Sequence, residues 1–357
     1  MNDCTQLLQT QVQQAYAIQA PLQITGNGTK HFYGRTPQGA QLQVAAHTGI
    51  ISYEPTELVV TARAGTPISE IEAALAQHGQ MLAFEPPHFG ANATLGGTLA
   101  CGFSGPRRPY AGSARDFVLG IKCLTGKGEI LQFGGQVIKN VAGYDAARLM
   151  VGALGTLGVI LEVSLKVLPQ PAEEITLVWS ASIAEAITRM NHWAGQPLPL
   201  SACCFDGLRL YARLSGASAN VAQARKKLGG DEIANGAAFW HDLREHRHPF
   251  FAGALPLWRL SLAPASIHLP LSGSWFIDWG GAQRWLKSDI APDIIRTKVA
   301  AVDGHATLFR GSAAPPHDRA GDVFHPLPLA LSTLTQRLKK AFDPDHILNP
   351  GRMYAVS

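Results

Sequence analysis

Residues 26–34 read "GNGTKHFYG". Two glycines stand two apart, then come Thr29, Lys30 and a third glycine, Gly34. The run "LQIT" (22–25), a strand candidate, leads straight into this loop. Two familiar phosphate patterns fail here. A P-loop needs Gly-x-x-x-x-Gly-Lys-Ser/Thr, but Thr29 precedes Lys30 and the spacing is wrong. A Gly-x-Gly-x-x-Gly dinucleotide fingerprint must open a helix; its third glycine position is His31, and "HFYGRTPQG" is a poor helix start. What remains is a loop after a strand whose glycines let successive N–H groups point inward, a nest for anionic oxygens. Taken alone, it reads first as an ordinary glycine turn and second as a phosphate nest.

Two further glycine-rich segments reverse that order. They are "ATLGGTLACGFSGPRRPYAGSARD" (93–116) and "GALGTLGVI" (152–160). A cofactor with a diphosphate, a sugar chain and two ring systems needs close backbone approach at several points. Three such loops within residues 1–170 meet that need, with Lys30 as an added point charge. Hydrogen bonds to a charged group are worth about 1.5–3 kcal/mol each.

Around these loops the first part of the chain is dense with short β-like runs. "ELVVTARAG" (57–65) reads as a strand. "TPISEIEAALAQHGQ" (66–80) reads as a helix with Thr66 at the N-cap, Pro67 at the first helical position and Gly79 at the end. Ile68, Ile71 and Leu75 share one face. "DFVLGIKCLTGKGEILQFGG" (116–135) reads as a hairpin turning at "TGKGE". "YDAARLMVGA" (144–153) reads as a short helix capped by Asp145, and "GVILEVSLKVLP" (158–169) as a partly alternating strand. Beyond 170 the character changes. All seven tryptophans lie there, strand-like runs alternate with helices such as 181–194 and 219–230, and the tail "RLKKAFDPDHILNPGRM" (337–353) is a helix followed by an extended segment. The tryptophans read as core or subunit interface.

Bulk composition excludes several classes. The chain has 357 residues, 46% hydrophobic and 16% charged, with 36 glycines and 23 prolines, which fits a folded two-domain protein rich in turns. Net charge is +4, but the basic residues are scattered (Arg107-Arg108, Arg225 to Lys227, Lys339-Lys340), with no basic stripe, so no nucleic-acid partner is expected. Cys4, Cys101, Cys123, Cys203 and Cys204 are odd in number and contain no Cys-x-x-Cys. They read as reduced thiols, not a disulfide framework, zinc site or iron–sulfur site. The N-terminus has no signal-peptide pattern, and the longest near-apolar run (149–161) is too short to span a bilayer. A cytoplasmic protein is expected.

The ordered set "GNGTK", "TARAGTPISEIEAALAQHGQML", "EPP", "ATLGGTLACGFSG", "RDFVLGIKCLTGKGEIL", "KNVAGYDAARLMVGALGTLGVILEVSLKVLP" and "FDPDHILNPGRM" resembles the PCMH-type FAD-binding flavoproteins, the family of vanillyl-alcohol oxidase and p-cresol methylhydroxylase. The resemblance covers essentially all of 1–170 and the last fifteen or so residues. "FWHDLREHRHPFF" (239–251), "LWRLSLAP" (257–264) and "IDWGGAQRWL" (277–286) are similar to the second domain of the shorter FAD-domain subunit of bacterial glycolate oxidase complexes.

That resemblance implies an α+β fold: a two-part FAD-binding domain (1–170), a smaller α+β cap domain (171–340), and a C-terminal segment (341–357) returning to the flavin. It implies that Gly26, Asn27, Gly28 and Thr29 hold the FAD pyrophosphate. Leu95, Gly96, Gly97, Ser104 and Gly105 would pass along the flavin, and Gly112, Ser113 and Asp116 would continue that wall. Gly155, Gly158, Val159 and Ile160 would flank the adenosine, and Asn349, Pro350 and Gly351 would approach the isoalloxazine. Some members attach FAD through His or Cys; His31 and Cys101 are the candidates, but neither sits in a clear attachment motif, so non-covalent FAD is expected.

The family's larger catalytic members carry an "HxGDGNxH"-type motif that is absent here. The nearest text, "VDGHATLFR" (302–310), has one His. Arg244, Arg259, Arg284 and Arg310 are candidate carboxylate clamps, each more readily a structural ion pair. His241, His246 and His248 read as a solvated loop rather than a metal site. The catalytic base is unassigned. The resemblance implies an FAD-binding subunit of a glycolate-oxidising complex, with a catalytic flavoprotein subunit and an iron–sulfur subunit as partners and peripheral membrane association through them. A self-sufficient flavin dehydrogenase or oxidase of another 2-hydroxy acid or alcohol, and a non-catalytic flavin-binding subunit, stay open.

Overall fold

The computed structural model describes residues 2–135, 146–311 and 323–355. The described chain divides into two units. One takes 2–103, 113–135, 146–169 and 323–355; the other takes 104–112 and 170–311.

The first unit is built on a five-stranded antiparallel sheet in the order Ile50–Glu54, Val59–Arg63, Val159–Lys166, Val118–Leu124, Ile130–Gly134. The two strands at its heart, Val59–Arg63 and Val159–Lys166, are buried on both faces. The partial alternation of 158–169 is thus overridden, because both surfaces of this sheet are covered. Thr61 and Ser164, which pair across it, satisfy each other through their hydroxyls at 2.8 Å. Helix Ile68–Ala76 buries Ile68, Ile71 and Leu75 completely on its shared face. It starts one residue later than its cap signal: Pro67 takes the N-cap, and the Thr66 hydroxyl instead accepts from the Gly49 amide at 2.9 Å. The 116–135 hairpin forms, but Asp116 and Phe117 belong to a helical turn, Ala114–Phe117, that precedes the strand. Tyr144 and Asp145 lie outside the described residues; the helix after them is Ala146–Leu149.

A second, parallel pair, Leu22–Thr25 with Ala40–Gln43, carries residues 26–39 as its crossover. Parallel strands require such a long connection, and here it is the glycine loop itself. The C-terminal segment runs beside the same strand: the Leu22 amide donates to Ile347 O at 2.7 Å and the Asn349 amide to Leu22 O at 2.9 Å.

Two boundaries differ from expectation. Helix Leu329–Phe342 belongs to the first unit, not to the 171–340 domain. Asp343, fully buried at its end, takes the amides of Ile347 and Leu348 and the ammonium of Lys339, which fixes the helix to the returning tail. Residues 104–112 belong to the second unit. Arg107 pairs with Glu174 at 2.6 Å, the Tyr110 hydroxyl lies 3.3 Å from Cys203 Sγ, and Gly105 O accepts from the Trp279 indole at 3.0 Å.

The second unit is an eight-stranded antiparallel sheet in the order Asp231–Glu232, Glu173–Ser180, Arg209–Gly216, Leu200–Phe205, Ser274–Asp278, Gln283–Lys287, Leu257–Ser261, His305–Arg310. Two apolar cores flank it. Helix Ile183–Ala194, opened by a Ser182–Glu185 capping box, supplies Ala186, Ile187, Met190 and Trp193 to one. Helix Pro292–Ala300 supplies Ile295 and Val299 to the other. Trp193, Trp240, Trp258 and Trp285 are buried, as a core role requires. Among the described residues, no helix is long and apolar enough to cross a membrane.

Candidate functional site

A cleft in the first unit gathers three of the glycine-bearing segments and the C-terminal turn. Two adjoining cavities share Ile24, Gly26, Thr94, Gly97, Ala100, Leu154 and Asn349.

Local chemistry explains how the loops converge. Gly28 has φ +74°, a conformation that a side chain strains. Gly26 lies so close to Thr94 that a Cβ there would sit 2.7 Å from Oγ1. That hydroxyl in turn accepts from the Gly97 amide at 3.2 Å, capping helix Leu95–Cys101. Gly96 leaves no room for a Cβ against Ala64, and its amide donates to Ala64 O at 2.7 Å. Gly155, at φ +72°, abuts the Asn349 amide.

Asn349 ties the site together. Its Oδ1 accepts from the Ile24 amide and its Nδ2 donates to Leu154 O, both at 2.7 Å. Its own φ is +43°, a region that asparagine tolerates better than most residues. One buried side chain thus joins the strand, the third glycine segment and the tail.

Among the described residues, the amides of Asn27, Gly28 and Thr29 have no protein acceptor. They form the nest expected for anionic oxygens. Beneath them the Lys30 ammonium is buried and donates to His88 O at 3.1 Å and to the hydroxyls of Thr29 and Thr98 at 3.4 Å. Lys30 therefore supports the loop from below. His31 and Arg352 stand on the cleft wall; burial, then the Arg352 charge, holds the His31 imidazole below its ordinary pKa. The residues present fit a dinucleotide diphosphate: unpartnered amides, a buried cation and apolar walls from Ile24, Ala100 and Leu154.

Gly26, Asn27, Gly28, Thr29, Gly96, Gly97, Gly155, Gly158, Ile160 and Asn349 line this cleft. Leu95 and Val159 sit behind it as fully buried core. Pro350 and Gly351 instead line a neighbouring cavity with Phe324 and Tyr354. Ser113 and Asp116 form a capping box, the Asp116 carboxylate accepting from the Ser113 amide at 2.8 Å, and do not line the cleft. Ser104, Gly105 and Gly112 fall in the second unit. Both attachment candidates, His31 and Cys101, are cleft residues. Thr94, Leu154 and Arg352 were not singled out from the sequence. Arg352 follows "NPG" directly, and that adjacency was the available signal.

The second unit's candidate clamps are mostly occupied with structure. Arg284 is fully buried and donates to the carbonyls of Gly281, Ile267 and Ser266; burial lowers its pKa to about 10. Arg244 pairs with Glu245 at 2.8 Å. Arg259 and Arg310 lie over the Phe309 ring at 5.8 and 5.7 Å. The three histidines separate. His241 is exposed, and His248 Nδ1 accepts from the Phe250 amide at 3.2 Å. His246 is no solvated-loop residue: it stacks on Phe251 at 3.8 Å and meets Trp285 and Phe309. Burial, then the charges of Arg310 and Arg259, pushes its pKa well below the ordinary value. Burial also raises the thiols of Cys123 and Cys203 to about 12, which makes them inert.

A family model described as FAD binding domain matches residues 3–134. The chain is 49% identical over 354 residues to glycolate oxidase subunit GlcE of Escherichia coli (strain K12), covering 99% of this chain and 98% of that protein. It is 31% identical over 160 residues to glycolate oxidase subunit GlcD of Bacillus subtilis (strain 168), covering 44% of this chain and 34% of that one. Among solved structures, alkyldihydroxyacetonephosphate synthase matches with a TM-score of 0.65 at 15% identity, over 97% of this chain and 74% of that chain, a likeness of fold alone.

Proposed function

The chain belongs to the PCMH-type FAD-binding flavoproteins, in the family of glycolate oxidase subunit GlcE, and from that premise we propose that it is the FAD-binding subunit of a complex oxidising glycolate to glyoxylate. The observation that carries this reading is 49% identity sustained over 99% of the chain and 98% of the relative. Bound FAD supplies a hydride acceptor. The chain's own groups bind and orient. The amides of Asn27, Gly28 and Thr29 hold diphosphate oxygens, and Gly96, Gly97 and Gly155 let the backbone approach the rest. Asn349 keeps the three segments in register. His31, neutral near pH 7 by its lowered pKa, adds no charge to the wall.

Removing hydrogen from a 2-hydroxy acid also needs a base on the hydroxyl and a cation on the carboxylate. Arg244 and Arg284 are committed to Glu245 and to backbone carbonyls. With no "HxGDGNxH"-type motif in this chain, the base is assigned to a catalytic flavoprotein subunit, and electrons pass on to an iron–sulfur subunit. The complex is cytoplasmic and peripheral at the inner membrane through those partners.

The test is flavin absorbance of the chain, alone and co-purified with both partner subunits, before and after adding glycolate. Bleaching in the complex and none in the lone chain is expected. A lone chain that turns over glycolate, or one that never co-purifies with those subunits, would overturn the reading.

A further inference from the structure

The turn at 349–352 grips the glycine-bearing crossover at both of its ends. Ahead of the loop, the Asn349 amide donates to Leu22 O at 2.9 Å and Asn349 Oδ1 accepts from the Ile24 amide at 2.7 Å. Behind it, the Arg35 amide donates to Arg352 O at 2.9 Å, and Arg352 Nη1 donates to Arg35 O at 2.8 Å. Gly34 permits the second grip: its φ is +83°, and a Cβ there would sit 3.1 Å from Arg352 O. The Arg352 guanidinium is thereby fixed on the wall of the cleft.

Its charge reaches the nest. The His31 ring lies against Gly28, where a Cβ would meet it at 3.3 Å. Burial, then the Arg352 charge, holds that same ring below its ordinary pKa. Arg352 thus stands beside the amides that Lys30 supports from below. Among the described residues that line the cleft are these two cations and no Asp or Glu. A guanidinium meets phosphate oxygens with paired, planar donors, which an ammonium does not. We propose that Arg352 is a diphosphate-binding residue, held by its clasp on Arg35 against the anion that the amides of 27–29 cradle. The proposal rests on the reading of this chain as an FAD-binding subunit, and it assigns Arg352 to phosphate rather than to the flavin ring.

The test uses the full chain stripped of flavin, titrated with FAD and with ADP, which carries a diphosphate but no flavin. Arg352→Met removes the charge and Arg352→Lys keeps it. Arg352→Met should weaken FAD and ADP alike, by about tenfold to a hundredfold, as for a lost hydrogen bond to a charged group. Wild-type affinity should fall more steeply with salt than that of Arg352→Met, and Arg352→Lys should lie between the two. The His31 pKa, followed by NMR, should rise in Arg352→Met and should also rise when ADP binds the wild type, shifts that a purely structural clasp would not produce. FAD weakened with ADP unchanged would move the charge to the flavin ring and overturn the proposal. Equal loss in both variants, with His31 unmoved, would make Arg352 a structural clasp and overturn it too. Undiminished binding by a folded Arg352→Met overturns it while leaving the proposed function standing. Should Arg352→Met not fold, the wild type decides: a His31 that ADP does not shift overturns the proposal. A wild-type chain that takes up no FAD overturns both.

Discussion

The two units spend their polar groups in opposite ways. In the cleft of the first unit, the amides of Asn27, Gly28 and Thr29 have no protein acceptor among the described residues, and glycines hold the backbone where a side chain would not fit. In the second unit the prominent charges are consumed internally: Arg284 by three carbonyls, Arg244 by Glu245, Arg107 by Glu174. A backbone left unsatisfied in a cleft is a binding site in waiting. A buried guanidinium tied to three backbone carbonyls is architecture. Substitutions in the first unit should therefore cost flavin, and those in the second should cost stability alone.

The largest effect is expected at Asn349. Asn349→Leu strands the Ile24 amide and Leu154 carbonyl, at about 3 kcal/mol for two buried groups, and releases three segments of the cleft. Both melting temperature and flavin content should fall. Full flavin in a destabilised variant would break the link drawn between this side chain and the site.

Gly28→Val comes next. A β-branched residue at φ +74° costs about 1–3 kcal/mol, and its Cβ would press on the His31 ring at 3.3 Å. Flavin affinity should drop about tenfold or more while the fold persists, read by the ratio of flavin to protein absorbance. A variant that keeps full FAD would refute the placement of the diphosphate at 26–29.

Arg284→Met supplies the contrast. Stranding buried carbonyls should cost about 2–3 kcal/mol in denaturant unfolding, yet flavin per folded chain should stay at the wild-type level. A flavin loss matching that of Gly28→Val would erase the distinction between the two regions.

The smallest expected effect is on pH dependence. His246 is held neutral in the folded chain, its pKa well below the ordinary 6.5. The unfolded chain takes up that proton first, so stability is full above about pH 6.5 and falls as pH drops below it. His47, His31, His248 and His268, also lowered by burial, act in the same direction. His246→Phe should flatten the decline in melting temperature between neutral and mildly acid pH. An unchanged slope would remove His246 from that account.

What was legible in the sequence follows the same division. Gly26, Gly28, Gly96 and Gly155 were readable because glycine spacing records a backbone requirement directly. Ser113, Asp116, Gly105 and Gly112 share that glycine-rich text but serve a helix cap and the second unit's packing. Composition cannot separate a loop that approaches a ligand from one that approaches its own chain. Thr94, Leu154 and Arg352 acquire their roles only when distant segments meet. The polar string "EHRHP" points to a solvated His246; its packing against Phe251 and Trp285 is a tertiary fact.

The most direct test of the central claim, that a backbone-built cleft in the first unit holds the cofactor, is the flavin content of the purified chain before and after acid denaturation. The account predicts stoichiometric FAD on the native chain, released in full by acid. A properly folded chain that carries no FAD and takes up none when it is added would contradict it.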